Sequence, residues 1–372
     1  MVRFVNAGDY GKFWEVRTIL LYIEVVLVED TRQVPQIQFF MPPICVYGGF
    51  AAEWEHTTGV PQATVLALAN HFCDGIAQRL PRDVAVPDLV LDAALVPPNA
   101  VILFACALGT ETSSTFAASC QSAAAPALWD WISSKHTYLS ALAAAGVPVP
   151  PTWVVLGASA ACALRAREVL VGSETSVGAS GEQEVKKALE HAWRGADRLV
   201  VKQCLALGGT VAVERLIAAE AVSRALALAA EGHDVLVQPD LRDEFAVGEH
   251  KCCVEVGGAA GVASRVLGAR HAPPGCEFGR CLMPAALPAG LRDVAARAAD
   301  QLRDHALDAG VTPPPVIRVD CVQLSGVWCV NEFELADYAS WQWGLACNGV
   351  AGPVDNAVCD ALARFATRAS RG

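Results

Sequence analysis

Four of the five charged side chains in one short stretch, Val316 to Tyr338, are of types and spacing that could do chemistry. The stretch reads VIRVDCVQLSGVWCVNEFELADY. Two apolar, β-prone runs flank Ser325-Gly326, the pattern of a β-hairpin. Side chains alternate faces along a strand, so Arg318 and Asp320 share one face of the first strand, and Glu332 and Glu334 share one face of the second. Three carboxylates and a guanidinium could then converge on a patch otherwise built of Val, Ile, Cys and Phe. Clustered carboxylates repel unless a cation sits among them. Oxygen-only ligands suit Mg²⁺, which is typically held by one or two carboxylates plus substrate phosphates. The plainer alternative is an amphipathic hairpin with its charged face in water, and this stretch alone leaves both open.

Register decides whether the carboxylates can meet. A two-residue Ser325-Gly326 turn would set Asp320 opposite Asn331 and put Glu332 on the other face. A three-residue loop keeps Asp320 and Glu332 together. With a loop of Ser325 to Val327, Asp320 sits opposite Glu332; with Leu324 to Gly326, Arg318 does. Three-residue loops usually carry Gly at a left-handed position, which favours the second, and an odd-length loop is expected.

Other residues gather weight from their neighbours. Lys202 ends the apolar run RLVVK shortly before Gly208-Gly209. A lysine beside a glycine turn can meet phosphate oxygens, helped by backbone N–H groups, although no GxxxxGK[ST] exists here. Gln238-Pro239-Asp240 ends another buried run, VLVQP, where strand-end backbone can face a purine. Glu249 and Lys251 lie two apart and share a strand face; the acid could accept ribose hydroxyls and the lysine could face an anion. Lys135 opens the helix KHTYLSALAAAG, where basic charge opposes the macrodipole. Each has an ordinary alternative as surface lysine, turn or cross-strand charge pair. There is no HExxH and no GxSxG.

The elements that must position these residues follow from composition and punctuation. The 372 residues suffice for about two or three domains. With 53% hydrophobic and 18% charged residues there is ample core material. No apolar run reaches the roughly 18 residues of a membrane span, and the first residues lack the apolar core of a leader peptide; a cytoplasmic, membrane-free protein is expected. Net charge is −11 without a dense basic run, which disfavours nucleic-acid binding. The fourteen cysteines are scattered through apolar contexts without a CxxC pair, so reduced core cysteines are expected; His271, Cys276 and Cys281 form one loose cluster. Residues 1–125 read as a small α/β domain with a helix at Pro61–Leu80 and a strand at Val101–Leu108. Helices follow at Ser133–Ala145 (Gly146 as C-cap), Ala160–Leu170, Gln183–Gly195, Ala218–Glu231, Leu291–Ala309 and Asp355–Ala369. Strands are expected at Thr152–Leu156, Arg198–Lys202, Asp234–Pro239, Phe245–Val256 and Ala263–Leu267, with Gly172–Gly181 as a loop.

The order of these signals is more specific than any one of them. Lys135, AGVPVPPT (145–152), Lys202 with Gly208-Gly209, VLVQP (235–239), GEHK (248–251), Arg265, RVD (318–320) and NEFE (331–334) follow one another over about residues 125–345. In this the chain resembles the ATP-grasp superfamily of carboxylate ligases, whose layout is shared by glutathione synthetases, D-alanyl–D-alanine ligases and ribosomal-protein glutamate ligases. The resemblance implies an α/β (α+β) ATP-grasp fold over residues 126–372, with a mobile lid at about 150–235, a catalytic part at about 236–372, and an N-terminal domain over 1–125.

The resemblance also implies roles. Lys135 and Lys202 would contact ATP phosphates, with Gly208 and Gly209 in a loop closing over them. Backbone at Gln238, Pro239, Asp240 and Leu241 would hold the adenine, and Glu249 the ribose. Asp320, Glu332 and Glu334 would bind one or two Mg²⁺, with Mn²⁺ as a substitute. Lys251, Arg265 and Arg318 would stabilise the transferring phosphoryl group or anchor an acidic substrate. The chain departs from the pattern at Glu334, where Asn is common, and at Arg265, where lysine is frequent. The implied activity is ligation of a small-molecule or peptide carboxylate to an amine through an acyl phosphate, by a protein compatible with a homodimer. The alternatives are a catalytically silent nucleotide-binding protein and a ligase that modifies a protein tail.

Overall fold

The computed structural model of the protein describes residues 42–47, 62–90, 95–97, 99–104, 121–122, 128, 131–132, 134–157, 165–169, 178–204, 213–241, 248–272, 283–335 and 353–371. Three sheets carry them. The first is parallel, in the order β2-β1-β3-β4, formed by β1 (Ile44–Tyr47), β2 (Asp88–Val90), β3 (Val101–Phe104) and β4 (Gln121–Ser122). Its central runs, ICVY and VILF, are apolar throughout, as suits parallel strands covered on both faces. Helix α1 (Gln62–Ala77) precedes β2.

The second sheet is antiparallel, in the order β7-β6-β5-β10-β8-β9. Its strands are β5 (Thr152–Leu156), β6 (Arg165–Val169), β7 (Gly178–Ser180), β8 (Arg198–Gln203), β9 (Val213–Ile217) and β10 (Val235–Pro239), with helices α3 (Glu182–Ala192) and α4 (Ala218–Ala230) between them. Its core, including Val155, Val201, Ala225 and Val237, is separate from the main one. The expected helix at Ala160–Leu170 is corrected here: Arg165–Val169 is a strand paired residue by residue with β5, Leu156 opposite Arg165 and Thr152 opposite Val169. Helix propensity of the Ala- and Leu-rich run loses to cross-strand burial of Ala166 and Val169. Residues 158–164 lie outside the described residues, as does most of the expected 172–181 loop.

The third sheet, β13-β12-β11-β14-β15, is antiparallel throughout. It comprises β11 (Glu249–Glu255), β12 (Arg265–Ala272), β13 (Met283–Ala285), β14 (Val316–Leu324) and β15 (Val327–Glu334). Strand β12 starts at Arg265 and runs five residues beyond the expected end at Leu267. Helix α2 (Lys135–Ala144) flanks this sheet, and α5 (Ala289–Asp308) and α6 (Pro353–Arg371) pack on it. The buried residues of α5, Leu291, Val294, Ala295, Ala298, Ala299, Leu302 and Ala306, recur at helical spacing and form the stripe that seats it. Helix α6 also touches α1 and β3, joining the first and third sheets in one core.

Two turns set the site. After α2, Gly146 takes φ +73°, and the bonds Gly146 N–H to Ala143 O and Val147 N–H to Leu142 O close the helix as a Schellman motif. The hairpin turn is Ser325-Gly326 alone, with φ of 48° and 84° and Leu324 opposite Val327. The expected odd-length loop is therefore wrong. A bulge restores what the turn would have spoiled: Cys321 faces Val330 but Asp320 faces Glu332, leaving Asn331 as the extra residue.

All eight cysteines among the described residues are buried and outside any disulfide, in keeping with reduced core thiols. Of the loose cluster, His271 is described and Cys276 and Cys281 are not. Among the described residues no helix is long and apolar enough to cross a membrane. His271 instead stands opposite His250, ring centroids 4.8 Å apart, with Trp328 edge-on to His250 at 4.8 Å. Burial, and then the neighbouring His271, hold His250 below its ordinary pKa of 6.5, against a hydrogen bond with the Gly248 backbone. The unfolded chain thus takes up this proton first as pH falls. The stability contribution is present above pH 6.5 and drains away as pH falls towards the lower folded value. His250→Phe is expected to flatten the decline of Tm as pH falls below 6.5, measured by calorimetry.

Candidate functional site

The third sheet brings charged residues from three adjacent strands to one face. On β11, Glu249 and Lys251 alternate to that face; Lys251 lies opposite Asp320 on β14, and Asp320 opposite Glu332 on β15. Arg318 lies opposite Glu334. The contacts are dense. Arg318 grips Asp320 with two bonds, Nε to Oδ1 at 2.8 Å and Nη2 to Oδ2 at 2.9 Å. Lys251 Nζ reaches Asp320 Oδ2 at 2.8 Å and Glu249 Oε2 at 3.0 Å. Lys135, at the start of α2, bonds Glu332. Arg318 Nη2 lies 3.6 Å from Glu334 Oε1. The bulge residue Asn331 donates from Nδ2 to Glu249 Oε1 at 2.9 Å.

Electrostatics follow from this arrangement. Asp320 is 1% exposed. Burial alone would favour its neutral acid, but Arg318 and then Lys251 prevail and hold the carboxyl well below its ordinary value. Burial pulls the Lys251 ammonium down, and Asp320 and Glu249 more than reverse it. Glu332 is likewise kept ionised by Lys135 against burial and the nearby Asp320.

Lys202 closes the face from the second sheet, close enough to Lys135, Glu332 and Glu249 to feel their charges. Among the described residues its ammonium has no hydrogen-bond or ion-pair partner. Burial, with Lys135 adding to the effect, pulls it down to about 8. Between pH 8 and its ordinary 10.5 the unfolded chain holds more protons, so burying this charge weighs against folding below pH 8. Lys202→Met is expected to raise Tm at pH 7, a gain that shrinks as pH approaches 10.5. A cation kept at such a cost is suited to an anion. The same variant should weaken nucleotide binding about 10- to 100-fold, the worth of one charged hydrogen bond. Wild-type affinity should itself fall as pH rises through 8, where the charge is lost. Calorimetric titration against pH checks both.

Not every expected residue lies within this cluster. Arg265 stands apart from it, two-thirds exposed and bonded to Glu255, Nη2 to Oε2 at 2.6 Å. Glu255 is held in turn by Arg364 of α6 and lies four residues, roughly 13 Å, along β11 from Lys251. The position opposite Lys251 on β12 belongs to the buried Arg270. Its signal was the second arginine of RVLGARHA. Arg265 and Arg270 are an odd number apart, and only the bulge at Leu267 brings them to one face. Gln238 turns its carboxamide inward to Thr152 Oγ1 at 2.8 Å, leaving backbone as the group it could offer a ligand. Asp240 donates its N–H to Arg198 O at 3.1 Å. Leu241 packs on Val322, Leu324 and Cys329, an apolar patch beside the carboxylates towards the hairpin tip. Gly208 and Gly209 lie outside the described residues.

The donor set fits magnesium in kind: the carboxylates are hard oxygen ligands on one face, next to free and paired cations suited to phosphates. Among the described residues, however, no three His, Cys, Asp or Glu side chains form a ready metal cage. Each carboxylate is turned onto a buried cation that competes for its oxygens. A metal held here would rest mainly on Asp320 and Glu332, with other ligands from phosphate.

No family model matches the sequence, and no curated protein matches it in sequence. Solved structures do match in shape. The chain is similar to a D-cycloserine synthetase, at 19% identity and TM-score 0.55, covering 87% of this chain and 99% of that one. It is also similar to D-alanyl-alanine synthetase A from Vibrio cholerae O1 biovar El Tor, at 12% identity and TM-score 0.52, covering 90% and 100%. The chain has the ATP-grasp fold. In this fold Lys202 of the second sheet lies near Lys135 and near Glu332 and Glu249 of the third.

Proposed function

We propose that the protein is an ATP- and Mg²⁺-dependent ligase that activates a small-molecule or peptide carboxylate as an acyl phosphate and couples it to an amine. The observation that carries this reading is the three-strand face on which Lys251, Asp320 and Glu332 stand in register, flanked by Arg318 and Lys135 and overhung by Lys202.

Phosphoryl transfer asks a protein mainly for positioning and charge neutralisation. Lys135 and Lys202 bind the triphosphate oxygens. Backbone at residues 238–241 and the apolar patch of Leu241, Val322, Leu324 and Cys329 receive the adenine, with Glu249 near the ribose. Asp320 and Glu332 hold the metal, and Glu334 stands beside them. Magnesium, or manganese in its place, would supply charge neutralisation to the phosphates when bound. Arg318 and Lys251, and with them the buried Arg270, meet the negative charge that develops on the transferring group. A substrate carboxylate oxygen bonds to the γ-phosphorus as the bond to ADP breaks; the amine then bonds to the acyl carbon, phosphate leaves, and the amine proton passes to solvent. No protein nucleophile is required.

The test is a screen of acid and amine pools for Mg²⁺-dependent ADP formation, with mass spectrometry of the products. A new amide accompanied by ADP and phosphate is expected. Nucleotide binding without turnover in any pool would instead describe a silent binding protein.

A further inference from the structure

Tyr138 stands in α2 one turn after Lys135 and is fully buried. Its ring packs tilted against Phe333, 5.2 Å between centroids, and against Trp131 at 5.9 Å; Trp131 stacks in turn on His305 at 4.6 Å. None of this packing needs a hydroxyl, since a phenylalanine would fill the same cluster. Yet the hydroxyl is there, shut away from solvent and without a hydrogen bond among the described residues. It lies beside the backbone of Phe333 but outside hydrogen-bonding geometry. A buried polar group left in this condition is expensive.

The place where it lies is specific. Phe333 separates Glu332 from Glu334, and among the described residues β15 is the edge strand of its sheet. Contacts from α2 and the turn after it line that edge instead. The carbonyl of Pro148 accepts from Val330 N–H at 2.9 Å, Lys135 bonds Glu332, and Tyr138 meets Phe333.

We propose that Tyr138 is a positioning residue: its hydroxyl fixes the Glu332–Glu334 segment of β15 against α2 and so sets the two carboxylates for a divalent cation beside a nucleotide. The Phe333 backbone, which the hydroxyl adjoins, is the partner through which it would hold the helix carrying Lys135 and the strand carrying the carboxylates together. This rests on the nucleotide-and-metal reading above.

The test uses the full chain and Mn²⁺ as probe, with binding followed by electron paramagnetic resonance in the presence of ADP. Tyr138→Phe keeps the ring and should match or exceed the wild-type Tm, because the orphaned group is gone. Its Mn²⁺ affinity should fall about 5-fold, the worth of one hydrogen bond. Leu142→Ala, buried in the same helix, is the control: it should lower Tm and keep wild-type Mn²⁺ affinity. Unchanged Mn²⁺ binding in Tyr138→Phe, or an equal loss in Leu142→Ala, overturns the inference alone. Absence of Mn²⁺ binding by the wild type with ADP overturns the nucleotide-and-metal reading, and this inference with it.

Discussion

Asp320→Asn is expected to lower stability by about 3 to 5 kcal/mol and to abolish ADP formation. Asp320 is the buried hub of its face: Arg318 holds both of its oxygens and Lys251 one of them. Removing the charge leaves a guanidinium and an ammonium buried without their partner, and breaking a buried pair from one side costs that much. Asparagine keeps the shape, so the loss is electrostatic rather than steric. Urea unfolding of the two proteins measures the stability term. A variant within about 1 kcal/mol of wild type would mean that solvent or other anions already compensate these cations.

Glu332→Gln separates chemistry from stability. Glu332 is 30% exposed at its side chain and faces Lys135 rather than a deeply buried pair, so the stability cost is expected to be small. ADP formation should nevertheless fall at least about 10²-fold, the scale of losing one preorganised electrostatic group at a reacting centre. Lys135, freed from its carboxylate, should bind nucleotide no worse in EDTA. The combination of retained metal-free nucleotide binding, a lost gain from Mg²⁺ and lost turnover, read from titration and ADP release, distinguishes a metal ligand from a structural ion-pair partner. Equal turnover in wild type and variant would remove Glu332 from the site.

What could be read in the sequence was what period-two alternation encodes. RVD and NEFE declared their faces, and Glu249 and Lys251 theirs, because the carriers are true strands. Gly146 declared the end of α2 because a left-handed turn selects glycine. What could not be read was what a neighbouring strand decides. The bulge at Asn331 corrects a register that the two-residue turn would have broken, and so sets Asp320 opposite Glu332. The bulge at Leu267 likewise sets Arg265 and Arg270 on one face, with Arg270 opposite Lys251 and Arg265 opposite Glu255. Residues 165–169 carry a helical composition and become a strand only because β5 offers an open edge. Tyr138 was hidden for another reason: in a helix packed on a strand, one aromatic reads like any other until its hydroxyl is found without a partner.

In the proposed triphosphate site metal and nucleotide depend on each other. The most direct measurement is calorimetric titration of the wild type and Asp320→Asn with a non-hydrolysable ATP analogue, in Mg²⁺ and in EDTA. Saturable binding at one site per chain is expected in Mg²⁺, weakened at least about 10-fold by EDTA, with Asp320→Asn insensitive to the metal. Binding of equal strength with and without Mg²⁺, or no binding at all, would contradict it.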